Sequence, residues 1–301
     1  MYINGDRLVP FMYWREVEQE WYRLLMSQLS EINFRQFQPC PELSPYIQSY
    51  WSIKRSAAKD TAPAFFLHPD GGTGLVFNFA DAWWLDGENF DSTYLFSGPT
   101  QHTSRLNLTG NIDAFGIRFY PGMAYPFLRQ SLAEIQTHIA PSESIFNSIP
   151  LTEVMDQLHS ADALINRIAA IERHLIRRLR LTKHDLNCIS YSLRWLNQQQ
   201  GQATISDLSA QCSISQRQLE RSFKNKVGMS AKQYNKLLRV RNSRTLIHAQ
   251  SQNRTDTKST SLSDIALMAG YYDQPHFNRE FKSVIGISPG QFMKKVINNS
   301  Q

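Results

Sequence analysis

Two stretches near the C-terminal end follow one plan. Residues 205–234 read ISDLSAQCSISQRQLERSFKNKVGMSAKQY, and residues 262–292 read LSDIALMAGYYDQPHFNREFKSVIGISPGQF. Each opens on an aliphatic residue followed by Ser and Asp. Each carries Arg, Phe and Lys in its middle, then Gly, Ser and a closing aromatic. A duplicated small helical unit that holds basic residues in step points to a reader of duplex nucleic acid.

The spacing within each copy fills in this plan. In the first, residues 205–211 predict a short helix with Leu208 inward, and Ser213-Ile214-Ser215 a turn in which Ser215 is a favourable N-cap. The next helix runs to Val227. Its Leu219, Phe223 and Val227 recur at i, i+4 and i+8, while Gln216, Arg217, Glu220, Arg221 and Lys224 face outward. Gly228 ends it as a residue that tolerates left-handed backbone. In the second copy, residues 262–269 brace, Gly270 turns and Asp273 caps. Phe277, Phe281 and Ile285 form the inner stripe, with Gln274, His276, Asn278, Arg279 and Lys282 outward. Pro275 falls in the first turn, where a missing N–H does no harm. This is helix–turn–helix grammar, in which one helix braces and the next offers its first turns to a major groove. Between the copies, residues 230–248 predict a connecting helix carrying Tyr234, Leu237, Leu238, Val240, Leu246 and Ile247, with Arg239, Arg241 and Arg244. A rigid connector of this kind holds two recognition helices at a fixed separation, as reading successive turns of DNA about 34 Å apart requires.

The run ISxxxLxRxFK at residues 214–224 is followed by Gly228-Met229-Ser230. The run IAxxAGYxDQxHFxRxFK at residues 265–282 is followed by Gly286-Ile287-Ser288-Pro289. On these residues, 185–298 resembles the DNA-binding domain of the AraC/XylS family of bacterial transcription regulators. The resemblance implies a sequence-specific DNA-binding regulator of transcription, an activator or a repressor, working in the cytoplasm. Its partners would be double-stranded DNA, contacted in adjacent major grooves, and RNA polymerase. The contact positions fall on Gln216, Arg217, Glu220, Arg221 and Lys224, and on Gln274, His276, Asn278, Arg279 and Lys282. Arg takes guanine bidentately, and Asn or Gln suits adenine. Glu220 has two readings: it accepts from cytosine, or it pairs with Arg217 or Lys224, and the ion pair is preferred. The polar segment 250–261, QSQNRTDTKSTS, is longer than the family pattern and is expected to be disordered. The first unit has the denser basic face, with Lys226 added, so it is expected to supply much of the affinity and the second to refine specificity.

Charge agrees with this division. The chain of 301 residues carries a net +6, but residues 183–301 hold 17 Lys and Arg against 7 Asp and Glu. Residues 1–182 are acidic, with 15 against 19. Such an asymmetry brings the basic half to phosphates, or simply solvates a surface. Cys40, Cys188 and Cys212 lie far apart, with no C-x-x-C pair and no His at zinc spacing, so neither a disulfide framework nor a metal site is expected. No window has the ~20 apolar residues of a membrane span, and Asp6, Glu16, Glu18 and Glu20 break any signal-like run.

The first half has another texture. Trp14, Val17, Trp21, Leu25 and Leu29 predict an amphipathic helix within an N-terminal extension, 1–38. From residue 39 to 150 short β-like runs alternate with turn clusters, as in a sandwich or barrel. Phe115, Ile117 and Phe119 share one face, with Arg118 opposite. The pieces PELSPYIQSYW (41–51), HPDGGTGLVFN (68–78), Ser97-Gly98-Pro99 and GIRFYPG (116–122) resemble a β-rich domain found ahead of the same DNA-binding module in one branch of the family. By that analogy it senses an effector or dimerises. Residues 151–182 predict a helical linker or dimerisation segment. Its Leu164, Ile168, Ile171, Leu175 and Thr182 step like a coiled-coil seam, either packed on their own domain or joining two copies.

The chain is therefore expected to be α+β. A β-rich, barrel- or sandwich-like N-terminal domain with helices precedes an all-α domain, 183–301, of two helix–turn–helix units (about 203–228 and 262–286) joined by a connecting helix. An unknown small-molecule or protein effector would act on the first domain, with His68, Asp70, Trp83 and Arg118 as speculative effector-binding residues. His68-Pro69-Asp70 is also read as an ordinary turn, and Arg118 as a structural ion-pair member. The alternative function is a small-molecule enzyme or binding module fused to a DNA reader. No catalytic constellation and no cofactor is implied, so an enzyme is not expected.

Overall fold

The computed structural model describes residues 33–56, 64–128, 130–135, 139–141, 151–160, 163–181, 186–252 and 261–299. The helix expected at 14–29 lies outside them.

Among the described residues ten strands form two antiparallel sheets. The larger has the order β1-β2-β9-β4-β7-β10, from β1 (Arg35–Phe37), β2 (Ile47–Arg55), β9 (Ile112–Phe119), β4 (Thr73–Asn78), β7 (Tyr94–Ser97) and β10 (Ile139–Pro141). The smaller is β3 (Phe65–Leu67), β8 (Ser104–Leu108), β5 (Trp83–Leu85) and β6 (Glu88–Phe90). Neither closes into a barrel. β1 begins inside the segment set apart in the sequence as an extension.

The two-residue period explains the layering. In β9, Ile112 and Ala114 join Ile53, Val76, Leu95, Trp83 and Leu106 in a core between the sheets. Phe115, Ile117 and Phe119 point the other way, with Tyr50, Leu75, Phe77 and Phe96. That second face is covered by α1 (Tyr125–Leu128), α2 (Leu151–Ser160) and α3 (Leu164–Arg180). Because both faces are covered, β4 is buried at every position, reading TGLVFN without a polar side.

α2 and α3 thus pack as a layer on the β-rich domain. Ile168, Ile171 and Leu175, the core of the expected seam, are buried against the chain's own sheet. Arg178 points inward and donates to the Phe127 carbonyl at 3.2 Å, while Arg173, Arg177 and Arg180 line an open surface depression of about 360 Å³ with Ile176 and Leu181.

In the C-terminal half the described elements are all helices: α4 (Asn187–Gln198), α5 (Ile205–Gln211), α6 (Gln216–Val227), α7 (Ala231–Gln252), α8 (Leu262–Met268), α9 (Gln274–Ile285) and α10 (Pro289–Asn299). One continuous core joins both units: Leu208, Leu219, Phe223, Tyr234, Leu238, Ile265, Phe277, Phe281 and Phe292 all belong to it. α7 is longer than the sequence predicts. Residues 250–252, expected to be disordered, continue the helix, and 261 caps α8; the residues between lie outside the description.

Candidate nucleic-acid interface

Each recognition helix starts on a side-chain cap that fixes its first turn. Ser215 accepts from the Gln218 amide at 3.2 Å, and the Gln218 Oε1 accepts the Ser215 amide at 2.9 Å, a reciprocal capping box. Asp273 accepts from the His276 amide at 2.7 Å. Both helices end on a glycine in left-handed conformation, Gly228 and Gly286.

Burial then separates the faces. Leu219, Phe223 and Val227 are fully buried on α6, as are Phe277 and Phe281 on α9. On α6, Gln216, Arg217, Arg221 and Lys224 are exposed and Glu220 is half-buried. Lys224 Nζ stands 3.9 Å from Glu220, the ion pair preferred from the sequence, with Lys224 rather than Arg217 as its partner. On α9, His276, Arg279 and Lys282 are exposed while Gln274 and Asn278 are half-buried.

The second face is more engaged internally. Gln274 Oε1 accepts from Ser263 Oγ at 2.8 Å, which ties the reading helix to its brace. The His276 ring lies edge-on to Tyr271 at 5.3 Å, with its Nε2 3.7 Å from Glu280. Asn278 turns its Oδ1 inward, where no hydrogen-bond donor meets it among the described residues. Among the described residues, Arg279 and Lys282 are therefore the cationic groups of this helix that meet no carboxylate. Beside them, Tyr272 is 91% exposed at the entry to α9, a large side chain that sequence periodicity had not singled out.

The four residues considered for an effector do not form one site. Trp83 is buried between the sheets, 6.3 Å from the Trp51 ring. His68, Asp70 and Arg118 gather instead where the β-rich domain meets the helical one. Asp70 Oδ1 accepts the Gly72 amide at 2.7 Å, the turn chemistry expected, and also pairs with Arg118. Burial alone would push Asp70 up, but Arg118, the Gly72 amide and Arg241 of α7 hold its carboxyl below its ordinary value. His68 Nδ1 lies 2.8 Å from Thr103 Oγ1, and its ring meets Phe292 of α10 edge-on at 6.5 Å. Burial, with Arg244 and His248 near, holds its imidazole down to about 2.

Burial pushes the Cys40 and Cys188 thiols up, away from the thiolate. Among the described residues no group of His, Cys, Asp and Glu is arranged to hold a metal, and no helix is long and apolar enough to cross a membrane.

Residues 208–295 match the family described as Helix-turn-helix domain, and residues 35–141 match Domain of unknown function (DUF6597). The Msm operon regulatory protein of Streptococcus mutans serotype c is 27% identical over 159 residues, covering 51% of this chain. The chain matches 53% of that relative's length. Among solved structures, apo ToxT K231A from Vibrio cholerae is 10% identical, with a TM-score of 0.41 over 82% of this chain and 97% of its own. The C-terminal domain of AraT from Geobacillus stearothermophilus is 20% identical, with a TM-score of 0.32 over 36% of this chain and 85% of its own. Residues 208–295 thus carry a helix-turn-helix domain, behind a DUF6597 domain at residues 35–141.

Proposed function

We propose that this chain is a sequence-specific DNA-binding regulator of transcription that reads two adjacent major grooves with α6 and α9. The observation that carries the reading is the pairing of two capped helices on one core, each exposing a basic outer face. Arg217, Arg221 and Lys224 serve the first groove, with Gln216 and Glu220 beside them. Arg279 and Lys282 serve the second, with Gln274, His276 and Asn278 at its margin. The name of the Streptococcus relative, an operon regulatory protein, supports the same class.

The β-rich domain is the regulatory part, acting in the cytoplasm under an effector or partner protein, with RNA polymerase as the downstream partner. His68 and Asp70, which a catalytic reading would need, are committed to the domain junction, and this favours a regulator over an enzyme. With the expected seam on α3 buried against its own sheet, a homodimer would have to use another surface.

Selection of bound sequences from a random DNA pool by the full chain tests the reading. Two sequence blocks about one helical turn apart are expected, with an affinity that falls steeply as salt rises. A pool that yields no enriched sequence, or binding indifferent to salt, would remove the proposal.

A further inference from the structure

The β-rich domain also touches both recognition helices at the ends away from their reading turns. Thr103 donates its amide and its Oγ1 to the Val284 carbonyl of α9, at 2.8 and 3.0 Å. The Nδ1 of His102 lies 2.6 Å from the Ser283 carbonyl. On the other unit, the Leu132 amide donates to the Asn225 carbonyl of α6 at 2.8 Å, and Ser131 Oγ stands 3.2 Å from Asn225 Oδ1.

One point of attachment on each helix is equivalent in the repeat. Asn225 and Ser283 each stand three residues before the glycine that ends their helix. Their carbonyls belong to the last turn, where a helix has no internal partner to offer, so the docked domain satisfies them. The same loop, 98–103, reaches both units, because Pro99 lies against Gly228. A Cβ on that glycine would come within 2.4 Å of Pro99 Cγ. The preceding turn repeats the pattern. Gly71 lies under Tyr234, where a Cβ would meet the ring at 2.8 Å, and His68 meets Phe292. Tyr234 and Phe292 are the closing aromatics of the two copies.

From this doubled attachment we infer that the β-rich domain is a brace that sets the separation and relative angle of the two reading helices, with Thr103 and His102 as positioning residues for operator spacing. The inference rests on the DNA-reading function above. Without the brace, the links among the described residues are α7, the core around it and the hydrogen bond from Gln202 Nε2 to the Met268 carbonyl at 3.2 Å. One added base pair moves a DNA block by ~3.4 Å along the axis and turns it by roughly a tenth of a turn. A braced pair of helices follows that displacement poorly, and a loosened pair follows it better.

The experiment uses the full chain and the two-block site selected from the random pool. The wild type is expected to lose about tenfold or more in affinity when one base pair is inserted between the blocks, as for a serious mismatch. The double variant His102→Ala, Thr103→Ala should bind the parent site comparably but lose only about threefold on insertion, a loss below a typical mismatch. Thr103→Ser, which keeps the hydroxyl, should behave as wild type. An unchanged insertion penalty in the double variant, or a selected site with a single block, overturns the brace while leaving DNA binding intact; a pool with no enriched sequence overturns the DNA reading itself. Hydrogen exchange supplies a measurement that needs no DNA. The Thr103 and Leu132 amides should be protected like those of the strands, and exchange at the rate of an open loop overturns the brace directly.

Discussion

Arg239 and Glu280 are joined by a two-pronged ion pair, Nε to Oε1 at 3.0 Å and Nη2 to Oε2 at 2.9 Å, that fastens the connecting helix α7 to the second recognition helix. Both side chains are largely shielded, at 20% and 11% exposure, and the guanidinium also lies over the Tyr271 ring at 5.5 Å. Removing one partner leaves the other charge half-buried. Glu280→Gln is therefore expected to destabilise the second unit by about 2–3 kcal/mol, somewhat below the cost of breaking a fully buried pair. Chemical denaturation measures it; a loss under about 0.5 kcal/mol, the size of an ordinary surface change, would show that the pair does not fasten the helices.

The domain junction should weaken in mild acid. His248 is buried, its ring edge-on to Phe292 at 5.7 Å, and burial with Arg244 near holds its imidazole down to about 4. His68 is held down in the same way. A depressed histidine stays neutral in the folded chain while the unfolded chain takes up a proton below about pH 6.5, so stability falls as pH drops through that value. For His248 the loss reaches about 2 kcal/mol near pH 5 and stops growing below its folded value. Asp70, held low, adds a loss in the same direction only below the ordinary carboxylate range. Melting curves between about pH 5 and 7 should slope steeply for the wild type and flatten in His68→Gln, His248→Gln. Equal slopes would contradict this account.

Gly228 answers two demands at once, a left-handed backbone with φ of 82° and the approach of Pro99. Gly228→Ala should cost about 1–3 kcal/mol, from backbone strain and the clash together. In a Pro99→Gly background the cost should shrink toward the backbone part alone. A double-mutant cycle reads the coupling, and strictly additive effects would mean that the loop does not press on the helix end.

The two reading faces should differ in strength. Arg217→Ala with Arg221→Ala is expected to lower DNA affinity more than Arg279→Ala with Lys282→Ala, because the second face is partly tied to Ser263, Tyr271 and Glu280. Each phosphate contact removed should also reduce the salt slope by about 0.9. Titrations at several salt concentrations measure both, and a larger loss from the α9 pair would reverse the assignment.

The helical half was the more legible part of the sequence. Its signals are local: Ser215 three residues before Gln218, Asp273 ahead of Pro275, Phe at i and i+4, and glycine at each helix end. The α10 start carried one too, since Ser288 and Gln291 repeat the spacing of Ser230 and Gln233, which open α7. The stripe of Phe115, Ile117 and Phe119 gave one face of β9 correctly, but not what covers it. The α3 seam shows why: an apolar stripe has the same spacing whether it meets a sheet of its own domain or a second copy. Least legible was the junction. Thr103, His102 and Leu132 grip backbone carbonyls, which every residue possesses, so no residue type marks the partner. His68 and Asp70 stood out as chemistry-bearing groups, yet their environment is set by Arg118, Arg244 and Phe292, which are remote in the chain.

The buried rows of α6 and α9 give the reading helices a mechanical character. Each is a 12-residue rod, roughly 18 Å long at 1.5 Å per residue, seated near its middle on a phenylalanine, Phe223 or Phe281. The seat extends along Leu219, Phe223 and Val227 on one rod and along Phe277, Phe281 and Ile285 on the other, so each rod moves as one body. Its far arm is held by the β-rich domain, and its near arm carries the side chains that face a groove. A displacement of the held arm would therefore be carried along the rod to the reading arm, without any contact between the moving loop and the nucleic acid.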